Sequence, residues 1–129
     1  MKVYLSVPMI ANRALGRARL MANAITDSGH TVTSPWVLGP LETSRKGAVD
    51  VFQRDKKAAE GSDVIVADVT EPSVGVGMEL MAAYIAGKKI VLVAKKGKTI
   101  SRMLAQMDRK ETVEYDGEDD IYTELRRIL

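Results

Sequence analysis

Six residues constrain this chain more than any others: Asp63-Val-Ile-Val-Ala-Asp68, an unbroken apolar run between two aspartates. A short run that is apolar at every position, rather than at alternate ones, suits a strand covered on both faces, as in a parallel sheet. Parallel strands cannot be joined by hairpins and need crossovers, usually helices. The flanking sequence supplies them. Val3, Leu5 and Val7 alternate with period two, and Pro8 closes that strand. A helical stretch from about Asn12 to Asp27 puts Leu15, Ala18, Ala22 and Ile25 on one face, with Gly29 beyond its end. A second strand covers roughly 31–34 and is cut off by Pro35; a long loop follows from Trp36 to Gly47, then a helix from about Val49 to Glu60. After the 63–68 strand come a helix over about 75–86, a strand over 89–94, a helix beginning near Thr99 and a strand near 112–115. A last helix starts near Glu118, its opening acids placed where the helix dipole favours them. The pattern predicts an α/β fold in three layers: a five-stranded parallel sheet with helices on both faces, in a single domain spanning 1–129. Ligands of such sheets bind beyond the carboxyl ends of the strands, which directs attention to the positions after Val7, Ser34, Asp68 and Ala94.

Composition narrows the class of function. The chain has 129 residues, 46% hydrophobic and 28% charged, with a net charge of +2. That is an ordinary globular balance, and the positive residues are spread along the chain, so nucleic-acid binding is not expected. No apolar stretch approaches the roughly 20 residues of a membrane span, and no leader-like segment follows Met1, so the expected setting is the cytoplasm. There is no cysteine, which excludes disulfides and thiolate chemistry. No metal and no cofactor is expected: Asp63 and Asp68 bracket a buried strand without His or Cys beside them.

Three features break the rules that folding alone would impose. Glu79 is the one charged residue between Val74 and Ala86. A helix apolar all round is buried, so this carboxylate lies in or beside the core, just past a strand's carboxyl end. Asp55 falls in the middle of an apolar stripe formed by Val51, Phe52, Ala58 and Ala59. Gly75 and Gly77, behind Ser73, stand at a helix start, where glycine costs about 1 kcal/mol against alanine; close approach of a ligand explains them. Smaller features point to the same corner. Tyr4 and Ser6 share one strand face, and the turn Pro8-Met9-Ile10-Ala11-Asn12-Arg13 offers backbone amides and a cation to an anion. Trp36 opens the long loop and suits stacking on a base.

These residues carry a resemblance. The chain is similar to the nucleoside 2-deoxyribosyltransferase superfamily, in particular its 2'-deoxynucleoside 5'-phosphate N-hydrolase branch. Val3-Tyr-Leu-Ser6 resembles the family's first strand, Phe52-Gln-Arg-Asp55 its aspartate helix, and Thr70-Glu-Pro-Ser-Val-Gly-Val-Gly-Met-Glu-Leu80 its most specific motif. Thr99-Ile-Ser-Arg-Met-Leu104 resembles the helix whose serine reaches a neighbouring subunit. Where better-known relatives carry a Gly-Ser-Ile-Arg-Gly-Gly-Arg type stretch, this chain has Val7-Pro-Met-Ile-Ala-Asn-Arg13, and only Arg13 matches plainly. The resemblance implies a Rossmann-like or flavodoxin-like fold with strand order 2-1-3-4-5 and a homodimer with shared active sites. It implies hydrolysis of 2'-deoxynucleoside 5'-monophosphates, with Glu79 as nucleophile, Tyr4 holding its carboxylate and Asp55 protonating the leaving base. Ser73, the amides near Gly75 and Gly77, and Ser101 of a second subunit would bind the 5'-phosphate.

The chemistry requires such a pair of acids. Glycosidic cleavage develops positive charge on the sugar; one carboxylate stabilises it or bonds to the anomeric carbon while another carboxyl moves protons. Their environments should push their pKa values apart. Glu79, near helix-start amides, is expected to stay ionised and Asp55, on an apolar stripe, to carry the proton. Three alternatives share parts of the pattern. A deoxyribosyltransferase would pass the sugar to another base, and a nucleotide-binding module would bind without turnover. A phospho-acceptor module would use Asp68, but needs an acidic pair where Ser6-Val7-Pro8-Met9 stands.

Overall fold

The computed structural model describes residues 1–10, 13–41 and 49–129. Ala11 and Asn12 of the expected anion turn, and residues 42–48 of the long loop, lie outside them. Five strands, β1 (Lys2–Ser6), β2 (Thr31–Val32), β3 (Val64–Asp68), β4 (Lys89–Lys95) and β5 (Lys110–Tyr115), form one sheet in the order β2-β1-β3-β4-β5. Every pairing is parallel, with Tyr4 opposite Ile65 and Asp68 opposite Val93. The connecting helices are α1 (Leu15–Asp27), α2 (Val51–Gly61), α3 (Val74–Ile85), α4 (Arg102–Gln106) and α5 (Asp119–Ile128). The expected architecture and strand order are both present.

Alternation along β1 divides the core. Val3, Leu5 and Val7 pack with Met21, Ile25, Ile121 and Leu125 of α1 and α5. Tyr4 points the other way, into a cluster with Ile65, Ala67, Val76, Leu80 and Ala83 beneath α3. Complete burial of side chains such as Ile65 and Leu80 contributes about 1.5–3 kcal/mol each. All five residues of β3 are buried, as its unbroken apolar run requires. The chain turns from β1 out to β2 and then back across to β3, so the order reverses between β1 and β3. That switch point is where an open parallel sheet leaves a crevice.

Local details depart from the sequence reading where tertiary contacts decide. The first helix begins at Leu15 rather than near Asn12, leaving Arg13 ahead of it. Its end is as expected: Gly29 takes φ +85°, a left-handed conformation that glycine adopts without strain. Trp36 lies within a 3-10 turn, Pro35–Leu38, rather than in open loop. Pro35 fixes the φ such a turn needs, and Val37 buries beneath it. Residues 99–101 precede α4, which spans only five residues. The apolar stripe of α2 is buried only towards its end: Ala59 is buried whereas Phe52 is half-exposed. Among the described residues no helix is long and apolar enough to cross a membrane.

Candidate active site

The side chain of Ser73 caps α3 by accepting a hydrogen bond from the Val76 amide at 3.3 Å, a contact worth about 1 kcal/mol. With its start fixed there, α3 presents Glu79 from its second turn towards β1. The Tyr4 hydroxyl donates to Glu79 Oε2, and the Ser6 hydroxyl donates to Glu79 Oε1 at 3.2 Å. Tyr4 and Ser6 are two residues apart on a strand, hence on one face; the long phenol and the short hydroxymethyl converge on one carboxyl group. Both are almost completely buried.

Glu79 behaves differently from the expectation that it stays ionised. Burial pushes its pKa up from 4.5 to about 8, so the carboxyl is mostly protonated at neutral pH in the unliganded protein. The reason is positional. Glu79 is the sixth residue of α3, past the unpaired amides of the first turn, and the helix dipole acts mainly within that turn. Desolvation is left to dominate.

A chain of ring and ion contacts extends from this group. The Tyr4 ring meets Trp36 edge-on, with centroids 6.3 Å apart. The Arg54 guanidinium lies 4.1 Å over the Trp36 ring, a cation–π stack. Arg54 Nε donates to Asp55 Oδ1 at 2.8 Å. Asp55 is thereby tied to the Glu79 region, and Arg54 is a member that the sequence reading missed; its signal was a cation immediately before the anomalous aspartate. One face of Trp36 is covered by Arg54 and is closed to a stacked base.

Other expected residues sit elsewhere. Arg13 donates to the carbonyl oxygens of Val37 and Gly39 and to Met9 Sδ, so it braces the Trp36 turn instead of standing as an isolated cation for phosphate. Pro8 is buried, Met9 partly so, and Ile10 is exposed. Gly75 and Gly77 have open space where a side chain would project, so no packing within the described residues demands glycine. Ser73, Gly77 and Ser101 line a cavity of about 800 Å³ between α3 and α4, together with Met78, Met81 and Met103. Glu79 is not among the residues that line this cavity, so the expected site residues fall into two groups.

Asp68, at the end of β3, belongs to neither group. Arg17 Nε donates to Asp68 Oδ2 at 2.9 Å, and Arg17 also pairs with Glu71. Burial opposes the charge of Arg17, and the hydrogen bond and negative charge of Asp68 outweigh it, holding its pKa above the ordinary value. Asp68 also accepts from the Thr70 amide at 3.0 Å. Contact between Asp68 and a base, or between Arg17 and a phosphate, would require dismantling this buried cluster.

No protein-family model matches the chain. A protein of Thermofilum pendens, provisionally named 2'-deoxynucleoside 5'-phosphate N-hydrolase 1, is 31% identical over 100% of this chain and 95% of its own length. The chain belongs to the nucleoside 2-deoxyribosyltransferase superfamily. It is an N-glycosidase of the superfamily's N-hydrolase branch. The 5-hydroxymethyl-dUMP N-hydrolase of Mus musculus is 34% identical over 68% of this chain and 53% of its own. Two solved structures share the N-glycosidase's fold. A CMP N-glycosidase of Clostridium botulinum superposes with a TM-score of 0.74 at 17% identity, covering 100% of both chains. A 2-deoxyribosyltransferase of Bacillus psychrosaccharolyticus does so with a TM-score of 0.70 at 24% identity, over 95% of this chain and 90% of that one.

Proposed function

We propose that this N-glycosidase hydrolyses 2'-deoxynucleoside 5'-monophosphates to free base and 2-deoxyribose 5-phosphate, with Glu79 as the nucleophile. One observation carries the assignment: a partly buried carboxyl at the sheet's switch point, gripped at both oxygens by Tyr4 and Ser6. Ionised Glu79 attacks the anomeric carbon as the bond to the base breaks, and the base leaves with the bonding electrons and takes a proton from Asp55. Water then attacks the same carbon, its proton passes to Asp55, and Glu79 is released. A sugar without a 2'-hydroxyl suits a nucleophile whose surroundings are already filled by two protein hydroxyls. The names of the relatives from Thermofilum pendens and Mus musculus support the substrate class.

The active unit in this reading is a homodimer. Val74, Met78, Met81 and Ile85 form an exposed apolar stripe along α3, continued by Met103 on α4, with Val74 82% and Ile85 77% exposed. Such a stripe is costly to leave in water, and a two-fold contact through α3 and α4 would cover it. The same contact would bring Ser101 of a second copy towards Ser73 and the 5'-phosphate. Met81→Lys is expected to give a monomer by analytical ultracentrifugation, with reduced activity.

The function is tested by incubating the protein with each 2'-deoxynucleoside 5'-monophosphate and its ribo counterpart and separating the products by chromatography. Free base is expected from at least one deoxynucleotide, faster than from its ribo counterpart. Release rises with pH towards about 8, as Glu79 ionises. No release from any of them would remove the proposal. A new nucleoside on addition of a second free base would turn it to sugar transfer.

A further inference from the structure

We infer that Ser6 is a positioning residue for Glu79, fixing the carboxyl in both of its protonation states, and not a substrate-binding hydroxyl. The inference rests on the proposed role of Glu79 and deepens it. Ser6 is 1% exposed, and its one hydroxyl proton is directed at Glu79 Oε1 at 3.2 Å. A serine has a single donor, so a proton committed to Glu79 is not offered to a sugar or phosphate. With the Tyr4 hydroxyl on Oε2, each oxygen of the carboxyl has its own protein partner, and rotation about the terminal torsion would break both contacts.

The nature of these partners matters as much as their number. Among the described residues no Lys, Arg or His forms an ion pair with Glu79, whereas Asp68 has Arg17. A cationic partner would hold Glu79 ionised and weaken it as a nucleophile. A neutral hydroxyl donates to the carboxylate and, once that oxygen takes up a proton, can turn and accept from it. Ser6 therefore keeps the group aimed at one place while it titrates during turnover. Hydrogen bonds to an ionised group are roughly twice as strong as neutral ones, so removing the Ser6 hydroxyl costs the carboxylate more than the acid. The pKa of Glu79 then moves further up.

Three variants test this on the full chain, using the deoxynucleotide that the wild type cleaves fastest. Ser6→Ala is expected to shift the acid limb of the kcat/KM profile upward by roughly half to one pH unit. It should lower kcat at pH 7 by about 3- to 10-fold, as that shift dictates, with KM almost unchanged. Ser6→Thr keeps the hydroxyl and is expected to restore the limb. An unmoved limb in Ser6→Ala, or a rise in KM without a change in kcat, overturns the inference and makes Ser6 a substrate contact. Glu79→Gln separates the two levels: if it keeps wild-type activity the proposed function fails, and if it is inactive while Ser6→Ala leaves the limb unmoved only the Ser6 role fails. Should Ser6→Ala melt below the assay temperature, carboxyl NMR of Glu79 at lower temperature reads the same upward shift, and an unchanged titration overturns the inference.

Discussion

Asp68 is a buried carboxyl group and Glu79 a partly buried one, both near the carboxyl ends of central strands, and their surroundings make them opposites. Asp68 faces Arg17 at 2.9 Å and receives the Thr70 amide; Glu79 receives two neutral hydroxyls. Burying a charge is expensive unless a partner compensates. At Asp68 the fold supplies that partner, and the result is a cross-link between α1 and β3. At Glu79 the cost is left standing, and it appears as a pKa near 8. An acid kept uncompensated by its own fold is poised to stabilise a positive charge that arrives with substrate. Strain of this kind at functional sites, relieved elsewhere in the structure, is a common pattern.

The largest effect expected from breaking this contrast is on catalysis. Glu79→Gln should reduce base release by roughly 10³-fold or more, while raising stability at alkaline pH. The folded protein holds the Glu79 proton more tightly than the unfolded chain does. Its contribution to stability is therefore complete below about 4.5 and lost as the pH rises through about 8. Glu79→Gln should be more stable than wild type at pH 8.5 by on the order of a few kcal/mol in denaturant unfolding, and the gap should close towards pH 4.5. Next comes the structural pair. Arg17→Met leaves Asp68 buried and unpaired and should cost about 3–5 kcal/mol of stability in denaturant unfolding, with kcat of the folded fraction little changed. Adding Asp68→Asn should recover much of the loss. Asp55→Asn should slow base release by about 10²-fold or more; an effect confined to thermal stability would reduce Asp55 to a partner of Arg54. The smallest is Tyr4→Phe, which removes one hydrogen bond to the ionised group and should lower kcat by about 10- to 100-fold, KM changing less.

How much of this was legible in the sequence depended on range. β3 and α3 announced themselves because full burial leaves an unbroken apolar pattern, and Glu79 stood out against it as a lone charge. The parallel sheet followed from the alternation of elements, and its strand order from the resemblance. Asp68 was read as the end of a buried strand or a phospho-acceptor, because its partner Arg17 lies 51 positions away and no local pattern marks that pairing. The ionisation of Glu79 was read from its nearness to a helix start, but the relevant quantity is how many residues separate it from the free amides, set against how deeply it is buried. Arg13 was read as a cation of an anion-binding turn; in the structure its guanidinium is taken up by loop carbonyls. Residues 3–6 apart were readable, and contacts across the fold were not.

The central claim is that the uncompensated carboxyl, not the compensated one, bonds to the sugar. Mixing the protein with a deoxynucleoside 5'-monophosphate that it cleaves, quenching in acid within one turnover and mapping the peptides by mass spectrometry tests this directly. A 2-deoxyribose 5-phosphate adduct on the peptide carrying Glu79, absent in Glu79→Gln and absent from the Asp68 peptide, is the predicted result. Base released at the full rate by Glu79→Gln, or an adduct on any other carboxyl group, would contradict it.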